Sequence, residues 1–145
     1  MKIRIYIINK IKNNAITELV EYYQKLLSKY AKVEIISITD KSEQKIKLAT
    51  IAKYLNDSFN IVLSEDGKEF TTSTFASKIE SQKLNYSQLN FFVANAYGFD
   101  QEIKQKANLV LSLSQMTTGH ELALVFLLEQ LFRISNLNAG GQYHK

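Results

Sequence analysis

Short apolar runs alternate with longer amphipathic stretches from end to end of the chain. Lys2–Ile8 (KIRIYII) alternates in polarity and is rich in β-branched residues, so it predicts a strand. Asn13 or Asn14 can then cap a helix. Ile16, Leu19, Val20, Tyr23, Leu26, Leu27 and Tyr30 follow i, i+3, i+4, i+7 spacing, which is one stripe of an amphipathic helix. Val33–Ile38 predicts a second strand. Residues 41–56 predict a charged helix with Ile46, Leu48, Ala49, Ala52 and Leu55 turned inward. Phe59–Leu63 is a short buried strand, closed by a turn at Ser64–Gly67. A helix over Thr71–Leu84, capped by Thr71 or Thr72, faces inward through Phe75, Ala76 and Ile79. Leu89–Ala94 gives a fourth strand, Gln101–Lys106 a helix and Leu109–Leu113 a fifth strand. Gly119–Ser135 is the last helix, followed by a polar tail.

Strands that alternate with helices predict an α/β domain with a mostly parallel sheet of about five strands, covered on both faces. Ligands of such sheets bind beyond the carboxyl ends of the strands. Three of the five glycines, Gly67, Gly98 and Gly119, fall at those ends. From Leu122 to Leu128 the last helix is apolar on every side, so every side needs cover. A second copy of the chain is one cover and an internal core position is the other.

With 145 residues the chain has the length of a single domain, and a 46% hydrophobic content supplies a core. No apolar run approaches the ~20 residues of a membrane-spanning helix. The opening MKIRIYIINKIKN carries charges inside its apolar stretch and does not have the form of a secretory signal. Cysteine is absent, which excludes disulfides, thiolate zinc sites and cysteine nucleophiles and fits a reducing, cytoplasmic compartment. A net charge of +4 permits a polyanionic partner without requiring one. Both histidines, His120 and His144, lie in the last 26 residues, so chemistry near neutral pH would concentrate there. The alternative is a helix-capping His120 and a His144 in a frayed tail.

Three segments carry a family resemblance: LSEDGK (63–68) with TSTFA (72–76), SLSQMTTGHELALVFLLEQLFR (112–133), and the closing GGQYHK (140–145). Together they resemble the ribosomal RNA large subunit methyltransferase H family of small SPOUT-class enzymes, over essentially the whole chain. The resemblance implies a SPOUT α/β fold with a C-terminal trefoil knot and a homodimer acting on the ribosome. It implies S-adenosylmethionine as methyl donor and N3 of a pseudouridine in large-subunit (23S) ribosomal RNA as acceptor. Carried onto this chain, the donor pocket would use Leu63, the Ala94–Gly98 turn including Asn95 and Gly98, and Leu113, Ser114, Gln115, Met116, Thr117 and Thr118. Leu63 and Met116 could instead be ordinary core. His120 and His144 are candidates for the base that removes the N3 proton, with Tyr143 orienting it. Glu129 and Arg133 are spaced to pair on one helix face, either to support the site or the dimer or as a plain surface ion pair.

Departures from the family pattern also stand out. Ala94 and Asn95 replace two adjacent glycines, Thr118 and Gly119 an apolar residue and a proline, and Leu124 an arginine. They raise the alternative of a SPOUT scaffold that binds ribosomal RNA without methylating it. A third reading, another nucleotide-binding α/β domain, needs only the strand–helix alternation. The chain contains neither a G-x-G-x-x-G motif nor a P-loop.

Overall fold

The computed structural model describes residues 1–145. Five strands, β1 (Lys2–Ile8), β2 (Lys32–Ile38), β3 (Phe59–Glu69), β4 (Gln88–Val93) and β5 (Leu109–Ser112), form one sheet of order β2-β1-β4-β3-β5. Every neighbouring pair is parallel. The two-residue period of β1 explains how the sheet is covered. Ile3, Ile5 and Ile7 face a core shared with α1 (Asn14–Leu27), α3 (Thr72–Gln82) and α5 (His120–Asn138). Tyr6 and Ile8 face a smaller core with Ile51, Phe99 and Ile103, under α2 (Leu48–Ile51) and α4 (Gln101–Lys106).

The helix starts follow their sequence signals. Asn13 accepts from the amides of Ala15 and Ile16, and Thr71 forms a reciprocal box with Thr74. Asp100 accepts from the amide of Ile103. In α1 the stripe buries Ile16, Val20 and Leu27, but Leu19 is left exposed.

The expected helix over 41–56 is not formed as such. Only Leu48–Ile51 is α-helical, followed by a 3-10 turn at Ala52–Tyr54, and Ala49 and Ala52 are exposed. The backbone around Ile46 is committed elsewhere. Its amide donates to the Gly98 carbonyl (2.8 Å) and its carbonyl accepts from the Asp100 amide (2.9 Å), an isolated bridge next to Phe99. Those bonds compete with a helical ladder for the same groups.

The expected turn at Ser64–Gly67 lies inside a longer β3. The strand shifts register on β5 between Leu63 and Lys68, so these residues bulge out and rejoin the ladder. Gly67 sits so close to β5 that a Cβ would meet the Val110 carbonyl oxygen at 2.6 Å. The last helix runs to Asn138, beyond the expected Ser135.

Candidate functional site

The strand ends open into a cleft of about 430 Å³. Three backbone segments build it. Leu63 and the Ser64–Asp66 bulge come from β3, Ala94–Phe99 follows β4, and Leu113–Ser114 with Met116–Gly119 follows β5. His120, Ala123 and Phe126 close it from α5.

Each segment is shaped by local bonds. The Asn95 side-chain oxygen accepts from the Tyr97 amide (3.0 Å), the Gly98 amide donates to the Asn95 carbonyl (3.2 Å), and Gly98 adopts φ +77°. The result is a tight turn whose left-handed position favours glycine. The Ser114 hydroxyl accepts from the Met116 amide (3.1 Å). At the mouth, Lys104 spans to Asp66 with Nζ 3.1 and 3.2 Å from the carboxylate oxygens. The Asp66 carboxyl lies below the usual carboxylate range, chiefly because the Ser64 hydroxyl donates to it and secondly because of Lys104.

Of the residues singled out from the sequence, Leu63, Ala94, Asn95, Gly98, Leu113, Ser114, Met116, Thr117, Thr118 and His120 line the cleft. Gln115 does not. Its amide group donates to the Glu69 carboxylate (2.6 Å) on the flank of β3. Met116 is 79% exposed at the lip rather than core. His120 is the first residue of α5 and makes no capping bond, since Gly119 holds the cap position.

Glu129, Arg133, Tyr143 and His144 form a second cluster that does not line the cleft. The Glu129 carboxylate is its hub. It accepts from Arg133 Nε (3.0 Å) and Nη2 (2.6 Å), the Tyr143 hydroxyl (3.2 Å) and Gln130 Nε2 (2.9 Å). The Arg133 guanidinium lies 4.6 Å from the Tyr143 ring centroid and 3.3 Å from His144 Nδ1. The Tyr143 ring meets Phe132 edge-on, and its amide donates to Asn136. Burial raises the Tyr143 hydroxyl above its ordinary pKa, and the bond to Glu129 adds to this. Glu129 and Arg133 are therefore more than a surface ion pair: they hold the C-terminal tail on α5.

Lys45, Asp66, Tyr97, Lys104 and Phe126 also reach the cleft. Lys45 arrives through the Ile46 bridge, in a segment whose pattern predicted a helix. The Asp66–Lys104 pair joins two elements 38 residues apart, with no local signal.

A family model described as "Predicted SPOUT methyltransferase" matches residues 1–144. The chain belongs to the SPOUT methyltransferase family. This SPOUT chain is 37% identical to the ribosomal RNA large subunit methyltransferase H of Aliarcobacter butzleri over 155 aligned residues, covering all of both chains. It is 36% identical to the protein of the same name from Acholeplasma laidlawii over 151 aligned residues, again covering all of both chains. With that of Streptococcus gordonii the identity is 30% over 159 aligned residues at full coverage of both. The SPOUT membership agrees with the parallel α/β sheet and with a cleft at its carboxyl edge. No helix is long and apolar enough to cross a membrane.

Proposed function

We propose that the chain methylates large-subunit ribosomal RNA in the cytoplasm, using S-adenosylmethionine bound in the strand-end cleft, with N3 of a pseudouridine as acceptor. The observation that carries this reading is the cleft itself, in a chain of the SPOUT family whose full-length relatives bear the name of a large-subunit ribosomal RNA methyltransferase.

The cleft fits the donor in size and chemistry. Its volume of about 430 Å³ lies in the range of small-molecule sites. Leu63, Leu113 and Phe126 give apolar walls, while the 94–98 and 113–118 backbones lie outside the sheet ladder and offer amides and carbonyls to an adenine edge. Asn95 stands where its Cβ and amide could crowd a ligand, but its side chain is drawn into its own turn by the Tyr97 amide. When bound, the donor supplies a methyl group already activated on a sulfonium.

The chain's work is then alignment of two ligands and removal of the acceptor's N3 proton. His120 is the group that takes that proton, a role supported by its position in the lining of the cleft. The Arg133 guanidinium lies 3.3 Å from His144 Nδ1 and ties that ring to the C-terminal cluster. His144 is thus held against the Glu129 cluster rather than at the cleft. Leu122 (58% exposed) and Phe126 (43%) lie one turn apart on α5 and give a homodimer its contact. The path of the chain from the cleft into α5 would carry the trefoil knot of the family.

Incubation of the protein and labelled donor with large ribosomal subunits lacking the modification tests the reading. Methyl incorporated at N3 of one pseudouridine supports it, and none incorporated overturns it. A second reading, an RNA-binding scaffold without transfer, is favoured by Leu124, which is fully buried where the family pattern has a guanidinium. It predicts ribosome binding with no labelled methyl.

A further inference from the structure

The two sides of the cleft differ in charge. On the β1–β2 side, Lys10, Lys12, Lys41, Lys45 and Lys47 are all exposed, and none lies within ion-pair distance of a carboxylate. On the β3 side stand Glu65, Asp66 and Glu69, with Lys68 among them and Lys104 already paired to Asp66.

The five lysines come from two loops at the carboxyl edge that the fold ties into one rim. Asn9, at φ +68°, exchanges two 2.9 Å bonds with the Asp40 backbone and so joins the loop after β1 to the loop after β2. The amides of Lys12 and Asn13 donate to the Glu121 carboxylate (3.3 and 3.2 Å), one residue beyond His120. The Ile46 bridge fastens the second loop to the turn after β4.

The carboxylates within this rim are largely engaged by neutral donors. Asp40 accepts from the Ser42 amide and hydroxyl and from the Thr50 hydroxyl, and Glu121 accepts the two loop amides. Of the carboxylates in residues 9–14 and 39–47, Glu43 alone is exposed without a partner. A rim of unpaired, solvated ammonium groups along a pinned edge matches a run of phosphates, whose binding releases counterions.

We infer that this lysine rim is the phosphate-docking surface for the RNA, so that the strand crosses the β1–β2 ends and enters the cleft from that side, away from the acidic β3 bulge. The inference rests on the proposed RNA substrate and adds the residues and the direction of approach.

The test compares two quadruple variants of equal net charge. The rim set is Lys10→Gln, Lys12→Gln, Lys41→Gln and Lys47→Gln, with Lys45 left alone because it lines the cleft. The control set is Lys25→Gln, Lys29→Gln, Lys32→Gln and Lys83→Gln, at the opposite edge of the sheet. Affinity for unmodified large ribosomal subunits is measured between about 50 and 200 mM salt, with methyl transfer and S-adenosylhomocysteine binding measured in parallel. Loss of four single-strand phosphate contacts should lower the salt slope by about 3 and raise the subunit Kd on the order of tenfold or more. The rim set should show this with unchanged kcat and S-adenosylhomocysteine affinity, and the control set should not. Equal losses in both sets, or an unchanged slope in the rim set, would overturn the docking surface. A wild-type protein that transfers no methyl but binds subunits through the rim would remove the proposed reaction and leave the surface standing.

Discussion

Glu129→Gln isolates what the second cluster contributes. The wild-type carboxylate receives both Arg133 nitrogens, the Tyr143 hydroxyl and Gln130, and its side chain is only 20% exposed. The variant keeps the shape but removes the charge that strengthens both Arg133 bonds, which converge on one carboxylate oxygen. A hydrogen bond to a charged group is worth about 1.5–3 kcal/mol. Partial solvent screening reduces this, so docking of the tail should weaken by about 1–2 kcal/mol, a factor of roughly 5–30 in its open population. Hydrogen exchange reads this directly. The amides of Gly141 and Tyr143, both bonded to Asn136, should exchange faster by that factor, while amides of β1 and β4 keep their protection. None of the four cluster residues lines the cleft, so S-adenosylhomocysteine affinity should hold. Unchanged exchange at Gly141 and Tyr143 would refute the hub. A loss of S-adenosylhomocysteine affinity of the same size would refute the separation of the two sites.

Gly98→Ala meets no neighbour within 4 Å, so its cost is the left-handed backbone alone. About 1–2 kcal/mol should lower Tm by roughly 3–8 °C in a thermal melt, with weaker S-adenosylhomocysteine binding because the turn lines the cleft. Leu122→Glu with Phe126→Glu should convert a dimer to monomers in analytical ultracentrifugation, since both side chains are exposed on one stripe of α5. The raised Tyr143 hydroxyl is favoured in its neutral form when docked. The Tyr143 contribution to tail docking should therefore be fully present below a tyrosine's ordinary value of about 10 and lost as pH rises through the higher docked value. Tyr143 fluorescence or exchange at Gly141 against pH checks this.

The strands were legible because each is short, apolar and bounded by polar turn residues, and β1 and β2 begin or end within a residue of their expected limits. Of the strand-end glycines, Gly98 and Gly119 line the cleft, Gly98 as its one left-handed turn, whereas Gly67 packs against β5. Residues 41–56 misled because Leu48, Ala52 and Leu55 follow i, i+4, i+7 spacing. What decides that segment is a long-range backbone bridge to Gly98 and Asp100. The β3 bulge is similar: SEDG has turn chemistry, and only its return to β5 at Lys68–Glu69 makes it part of a strand. On α5 the all-apolar stretch divides in the fold. Leu124, Leu127 and Leu128 are fully buried within one chain, while Leu122 and Phe126 are left open. The grouping of Glu129 with Arg133 followed from i, i+4 spacing, whereas the return of Tyr143 and His144 onto them depends on Asn136 catching the tail.

A crystal structure with S-adenosylhomocysteine shows whether the strand-end cleft holds the donor. The ligand should lie against Leu63, the Ala94–Gly98 turn and the Leu113–Thr118 backbone, with Asn95 still bonded to the Tyr97 amide. A ligand bound elsewhere on the chain, or a cleft closed by the Asn95 side chain, would contradict that placement.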